Sequence, residues 1–217
     1  MKVIAVNGSP RKEWNTAALL KHALEGAGTQ GAETELINLY DLNYKGCISC
    51  FACKVKGGKS YGSCGVRDDL KPVLEKIEET DALFLGSPIY FGNTTGMFRA
   101  FLERLLFQYL VYDRNYTKLF RRKVHTGLIY TMNVKESMLE QIGYTDYFKN
   151  TERTVGNYFG HVETLCSTDT YQFHDYSKYE TSAFDAHEKL KRRDEVFPED
   201  CKKAFEMGVR FASQIQD

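Results

Sequence analysis

Lys2-Val3-Ile4-Ala5-Val6 is a short and nearly continuous apolar run, the pattern of a strand buried on both faces. Gly8, Ser9 and Pro10 end it. Asn15 or Thr16 then stands where a cap is needed for a helix whose inward face carries Ala17, Leu19, Leu20, Ala23 and Leu24. Gly26, Gly28 and Gly31 are expected to break that helix before a second strand at about 33–39. From 40 to 67 the chain has little periodicity and reads as an excursion from the sheet. Asp68 is placed to cap a helix reaching about Glu79, with Leu70, Val73, Leu74 and Ile77 on one side and Pro72 in the first turn, where its missing amide costs least.

Ala82-Leu83-Phe84-Leu85 predicts a third strand ending at Gly86-Ser87-Pro88, and Phe91-Gly92-Asn93 a turn. Phe98, Phe101, Leu102, Leu105 and Leu106 recur at three- and four-residue spacings, which predicts a helix at about 95–108. That stripe is broad enough to face both the sheet and a partner subunit, so a homodimer or homotetramer is expected. Val124 to Tyr130 and Val162 to Leu165 predict two more strands. Short helices with Met138, Tyr144, Tyr147, Phe148, Tyr158 and Phe159 inside are expected between them, and Pro198 opens a terminal helix carrying Phe205, Val209 and Phe211. Alternation at these intervals favours a doubly wound α/β domain over 1–217. Its five parallel strands would lie in the order 2-1-3-4-5, and ligands would gather at their carboxyl ends.

Composition narrows the function classes. The 217 residues include 29 Lys plus Arg and 29 Asp plus Glu, so no global field favours nucleic acid or an anionic membrane. Arg121-Arg122-Lys123 is one short basic run, read as a solvated flank. No apolar run approaches the roughly 18 residues of a membrane span, and a soluble, cytoplasmic protein is the expectation. His22, His125, His161, His174 and His187 lack zinc-like spacing and are read as structural or exposed. Cys166 and Cys201 are read as buried.

The turn after the first strand is the first chemical candidate. Ser9 offers a hydroxyl, Arg11 a charged fork, and Asn15 and Thr16 stand beside the free amides of a helix start, so an anion such as phosphate fits there. Neither GxGxxG nor GxxxxGK[ST] is present, which removes a dinucleotide fold fingerprint and a P-loop. Two more strand-end loops share the edge: Ser87-Pro88-Ile89-Tyr90-Phe91-Gly92-Asn93, and Thr131-Met132-Asn133. Three loops could hold a phosphate, a sugar-like chain and a flat heterocycle. Gly92 also suits a plain turn, and Tyr90 a plain exposed aromatic.

Asn7-Gly8-Ser9-Pro10-Arg11 with Asn15-Thr16 and Leu19-Leu20 resembles the amino-terminal signature of the NAD(P)H-dependent FMN reductase and iron-sulfur flavoprotein families, and Gly86 to Gly92 resembles their second flavin loop. The resemblance covers about residues 1–130. It implies a flavodoxin-like fold, FMN as cofactor, NAD(P)H as donor and a small acceptor such as a quinone or a flavin. It also implies that Ser9, Arg11, Asn15 and Thr16 hold the phosphate, that Pro88, Ile89, Tyr90, Phe91, Gly92 and Asn93 line the ribityl chain and ring, and that Thr131, Met132 and Asn133 approach the ring.

Cys47-x-x-Cys50-x-x-Cys53 brings three soft ligands together, and Cys64 can return through Gly57, Gly58 and Gly62. Four thiolates suit an iron-sulfur cluster or zinc. The series resembles the compact cysteine motif of iron-sulfur flavoproteins, with a longer last interval. Gly62-Ser63-Cys64 and Asp68-Asp69 equally resemble flavin reductases without a cluster, so cluster, zinc and free or redox-active thiols all stay open. Alternatives to a flavin-dependent oxidoreductase are an iron-sulfur electron-transfer flavoprotein and a flavodoxin-like redox sensor without turnover.

Overall fold

The computed structural model describes residues 1–214. Five parallel strands form the sheet: β1 (Lys2–Asn7), β2 (Glu33–Asn38), β3 (Ala82–Tyr90), β5 (His125–Thr131) and β6 (Val162–Ser167). A two-residue strand, β4 (Asn93–Thr94), pairs antiparallel with the end of β3, so the order is 2-1-3-5-6 rather than the uninterrupted 2-1-3-4-5 expected. The five long segments keep the expected neighbours. β1 and β3 stand side by side, with Asn7 opposite Gly86, and their ends open the reversal point of the sheet.

β3 runs past Gly86-Ser87-Pro88 to Tyr90, where the sequence had suggested a stop. The reason lies in pairing. β1 has already ended opposite Gly86, so the last part of β3 has β5 as its long partner, and a strand freed on one side tolerates Pro88. The hairpin that follows puts Phe91 at φ 50° and Gly92 at φ 81°, the doubly left-handed turn that matches strand twist.

Helices α1 (Asn15–Thr29) and α6 (Phe197–Ser213) cover one face, packing on Val3, Ala5, Ala82, Phe84 and Ile129. Helices α2 (Leu70–Glu78), α3 (Gly96–Phe107) and α4 (Tyr144–Phe159) cover the other, against Ile4, Val6, Leu83, Leu85 and Leu128. Helix α5 (Ala186–Glu195) leads into α6 and was not foreseen, because its polar sequence has only Lys189 buried. The α3 stripe expected to serve a partner is spent inside the chain: Phe98, Phe101, Leu102, Leu105 and Leu106 all lie in its own core. Met138 is exposed, outside the predicted aromatic interior, whereas Phe148 and Phe159 are buried.

Gly26 and Gly28 do not break α1, which runs through both to Thr29. Gly26 is there for contact. A Cβ on it would lie 2.0 Å from the Phe205 carbonyl oxygen, and one on Gly208 would lie 1.9 Å from that of Ala23, so the α1–α6 backbones touch across two glycines. Backbone cannot yield as a side-chain tip can. Gly208→Ala is therefore expected to cost about 1–3 kcal/mol, read as a lower urea midpoint with an unchanged m-value.

Candidate functional site

At the carboxyl edge of the sheet, a cleft of about 150 Å³ is lined by Ser9, Arg11, Trp14, Asn15, Thr16, Pro88, Ile89, Tyr90, Thr131, Met132, Asn133, Val134, Thr170 and Gln172. Ten of the thirteen cofactor residues named from the sequence thus share one cavity. Phe91 and Gly92 stand beyond it at the hairpin tip, and Asn93 faces a separate cleft between α3 and α4.

Short hydrogen bonds tie the loops together. Thr95 caps α3 by accepting from the Phe98 amide at 3.2 Å, while its hydroxyl donates to the Gly8 carbonyl at 2.7 Å and its amide donates to Ser87 Oγ at 3.1 Å. The first two loops are therefore fastened through one residue. The Thr16 and Thr131 hydroxyls meet at 2.7 Å and fasten the first to the third. Asn7 Oδ1 accepts from the Ser9 amide at 3.0 Å, and Ser9 Oγ from the Arg11 amide at 3.1 Å, which fixes the turn itself.

Neither Asn15 nor Thr16 caps α1, contrary to expectation. The N-cap is Trp14, whose side chain makes no capping bond. Both predicted caps are already inside the helix, with side chains turned to other loops: Asn15 Nδ2 donates to the Tyr171 carbonyl at 2.9 Å. The first-turn amides of Asn15, Thr16 and Ala17 have no acceptor among the described residues, and the buried Trp14 Nε1–H has none either. Unmet donors at a helix start, with Arg11 alongside and no carboxylate among the cleft's lining, are what an oxyanion satisfies. The residues fit a phosphate group. Arg11 commits one N–H to the Gln172 carbonyl at 2.7 Å and keeps four of its five donors.

The cavity falls below the roughly 300 Å³ of a typical small-ligand site, so it suits a phosphate and its chain while a flat ring would rest on the rim. Tyr90 forms that rim, half-exposed. Burial and nearby Tyr40 raise its phenol above the ordinary value against the pull of Arg11, so it keeps its proton as a donor at neutral pH.

Sequence reasoning missed Trp14, Val134, Thr170 and Gln172. The last two belong to a segment after β6, 168–176, that closes one side of the cleft. Its Thr170 amide donates to the Met132 carbonyl at 3.0 Å, and its Asp169 amide to that of Val134 at 2.9 Å. Buried Lys189 on α5 reaches Asp169 Oδ1 and Asn133 Oδ1. Only the aromatic run Tyr171, Phe173 and Tyr176 marks this segment in the sequence, and it carries no periodicity.

Cys47, Cys50, Cys53 and Cys64 line one small cavity with Arg104, Phe107 and Gln108. All six cysteines are free thiols. No three His, Cys, Asp or Glu side chains among the described residues converge on a point as a zinc ion at about 2.3 Å from each sulfur demands. Fully buried Arg104 grips Asp68 with two bonds of 2.5 and 3.0 Å, and its Nε–H has no acceptor. Asp68 was expected to cap α2, and it does accept from the Leu70 amide at 3.3 Å, but Arg104 takes both of its oxygens. Lys54 Nζ donates to the carbonyls of Phe107 and Leu110, the latter at 2.6 Å, and lies beside Cys53. Lys54 and Arg104 thus flank the pocket of thiols, with the charge of Arg104 matched by Asp68. Ser49 (φ 52°) and Phe51 (φ 56°) hold Cys50 between two left-handed residues, a strained loop that keeps it exposed.

Cys201 is buried as expected, whereas Cys166 is only half-buried because it lies on the edge strand β6. Burial pushes the Cys53 thiol upward and raises Cys166 to about 12 and Cys201 to about 11. Native protein without metal treated with iodoacetamide at pH 8 should accordingly be labelled first at Cys50, with Cys53, Cys166 and Cys201 labelled only on unfolding. Peptide mass mapping reads the order.

Residues 1–140 match the family model described as NADPH-dependent FMN reductase. The chain belongs to that family. FMN is therefore the cofactor that the cleft at the sheet edge is to be compared with. The FMN reductase family member described here is 40% identical over 104 residues to an iron-sulfur flavoprotein of Methanocaldococcus jannaschii, which covers 48% of this chain and 51% of that protein. An iron-sulfur flavoprotein of Archaeoglobus fulgidus is 42% identical over 104 residues, 48% of each chain. The chain spans about half the length of these curated relatives. In fold it is similar to an NAD(P)H:quinone oxidoreductase from Methanothermobacter marburgensis, with a TM-score of 0.71 at 15% identity over 96% of this chain and 98% of that one. No helix among the described residues is long and apolar enough to cross a membrane.

Proposed function

We propose that the protein is an FMN-dependent oxidoreductase that moves electrons from NAD(P)H to a small acceptor such as a quinone or a flavin, working in the cytoplasm as a homodimer or homotetramer. The observation that carries the reading is the convergence of three strand-end loops on one cleft whose helix-start amides lack acceptors. Ser9, Arg11, Asn15 and Thr16 would hold the phosphate. Pro88, Ile89 and Tyr90 would flank the chain and ring, with Phe91, Gly92 and Asn93 at the outer edge and Thr131, Met132 and Asn133 opposite. When bound, FMN supplies hydride acceptance from a reduced nicotinamide and one- or two-electron release to the acceptor. The chain's own residues orient it: the Thr16–Thr131 contact fixes two walls, and the neutral Tyr90 phenol offers a donor at the ring's rim. Packing of α1 on α6 supports a single domain over 1–217, with 40–67 as its excursion.

Anaerobic mixing of the FMN-loaded protein with NADPH or NADH tests the reading by loss of flavin absorbance near 450 nm. Flavin that stays oxidised with both donors, while remaining bound, would leave the redox-sensor alternative instead.

A second reading, an iron-sulfur flavoprotein passing electrons onward, is favoured by four cysteines around one cavity beside Arg104 and Lys54. The names of its curated relatives support it. Cys47, Cys50, Cys53 and Cys64 would be the ligands. Anaerobic reconstitution with iron and sulfide followed by iron analysis tests it, and protection of Cys50 from iodoacetamide in the loaded protein is the expected companion result.

A further inference from the structure

Helix α5 turns three cations toward the body of the chain, and only two of them meet a counter-ion. Lys189 reaches Asp169, and Arg192 donates to buried Asp200 at 2.7 Å. Half-buried Arg193 makes no hydrogen bond and no ion pair among the described residues. Its guanidinium rests on two aromatic rings instead, 5.6 Å from the centroid of Trp14 and 5.5 Å from that of Tyr171. Trp14 already bears a second guanidinium, that of Arg11 at 4.1 Å, and His174 packs edge-on against the same indole at 4.5 Å. Stacking holds an arginine in place without using any of its N–H donors. The acids next in sequence to this cluster are engaged elsewhere: Glu13 with Lys21 at 2.7 Å, and Asp175 with the Ser177 amide and hydroxyl at 3.0 and 2.6 Å. Asp194, one position on, leaves the helix in another direction. Two permanent positive charges thus converge on one indole with no acid to offset them, an arrangement that repels itself until an anion arrives.

We propose that Arg193 supplies the second positive charge of the anion site, so that the cleft selects a phosphate monoester dianion over a singly charged or neutral ligand. The inference rests on the flavin reading above and adds to it a residue that sets specificity. The lining of the cleft holds one cation, Arg11. A phosphate monoester carries a charge of about −1.5 to −2 at neutral pH, which one guanidinium and neutral amides leave partly unmatched. Arg193 does not itself line the cleft; it stands against Trp14, which does, and its charge acts across that ring, where little water intervenes to screen it. The Trp14 Nε1–H, buried and without an acceptor, belongs to the same indole. Because α5 lies beyond residues 1–140, the family signature does not supply this charge.

Fluorescence titration of the full chain with three flavins, at about pH 7.5 and low salt, tests the assignment. Riboflavin has no charge on its chain, riboflavin 5′-sulfate has one and FMN nearly two. Coulomb energy scales with the product of the charges, so the loss factor for the sulfate should appear squared for FMN. Arg193→Gln is expected to weaken FMN roughly tenfold, the sulfate roughly threefold and riboflavin not at all. Arg193→Lys keeps the charge and should hold the preference for FMN over the sulfate within about twofold of the original. Salt at about 0.5 M should shrink the FMN loss. An equal loss for all three flavins would show that Arg193 only packs against Trp14, and would overturn the proposal; so would an FMN-to-sulfate preference that survives Arg193→Gln. The underlying reading fails in a different way. An unaltered chain that binds FMN no better than riboflavin has no phosphate site at the turn, whereas one that prefers FMN, with Arg193→Gln keeping the same preference, defeats the role of Arg193 alone.

Discussion

Ser9→Asp should abolish FMN binding at practical concentrations while leaving riboflavin binding as it is. Ser9 is buried at the floor of the phosphate turn, and its Oγ accepts from the Arg11 amide. An aspartate can accept that same bond, so the turn keeps its local partner. What changes is charge. A carboxylate next to the helix-start amides takes up the donors and repels a phosphate within a few ångströms, where two like charges at an effective dielectric near 20 cost about 4 kcal/mol. A loss of at least a hundredfold in affinity follows, since each tenfold step is about 1.4 kcal/mol. Flavin fluorescence titration measures it. Riboflavin, which lacks the phosphate, is the internal control: an equal loss for both ligands would mean that the turn had been distorted and would remove the phosphate assignment from Ser9.

The same turn marks how far residue patterns reach. The apolar run 2–6, the stripe on α3 and the breaks at Pro10 and Phe91-Gly92 are local signals of strand, helix and turn, and each produced its element. The neighbours of the five long strands followed because strand-helix alternation at these intervals favours a doubly wound parallel sheet, while the short β4 hairpin strand carried no such signal. Signals that depend on distant partners were misread. Asn15 and Thr16 have the side chains of helix caps, yet their hydroxyl and amide are claimed by Thr131 and Tyr171, more than a hundred positions away. Gly26 has the residue type of a helix breaker, but α6 needs its missing Cβ. Asp68 looked like a cap and is chiefly the counter-ion of a buried arginine. The segment 168–185 was opaque for a related reason. It is held by side-chain and carbonyl bonds to other loops rather than by a repeating apolar face, and such bonds leave no period in the sequence. The cleft's three predicted walls were therefore legible, and its fourth was not.

That fourth wall gives the other large effect. Lys189 is 4% exposed and reaches Asp169 and Asn133 from α5, joining two loops that meet over the cleft. Burial lowers its pKa, and the hydrogen bond and charge of Asp169 oppose that fall, so the ammonium is held by its partner. Replacing it with methionine keeps the stem's volume and removes the charge, leaving the Asp169 carboxylate without its counter-ion. Breaking a fully buried pair costs about 3–5 kcal/mol. Asp169 has a side chain 24% exposed and water can reach it, so about 2–3 kcal/mol is the expectation for Lys189→Met. Asp169 also carries φ 52°, a left-handed turn that the lysine helps to hold. With the tie gone, Thr170 and Gln172 should leave the cleft more readily, and FMN should dissociate faster. Lys189→Met/Asp169→Asn separates the two contributions. Removing the orphaned charge should recover most of the lost stability, read by urea denaturation of the cofactor-free chain, because an amide tolerates burial without a counter-ion. It should not recover the slow release of FMN, because the bond to Asn133 is still missing. If the double variant regains both together, Lys189 serves only the charge balance of the fold; if it regains stability alone, the lysine positions the wall of the cofactor site.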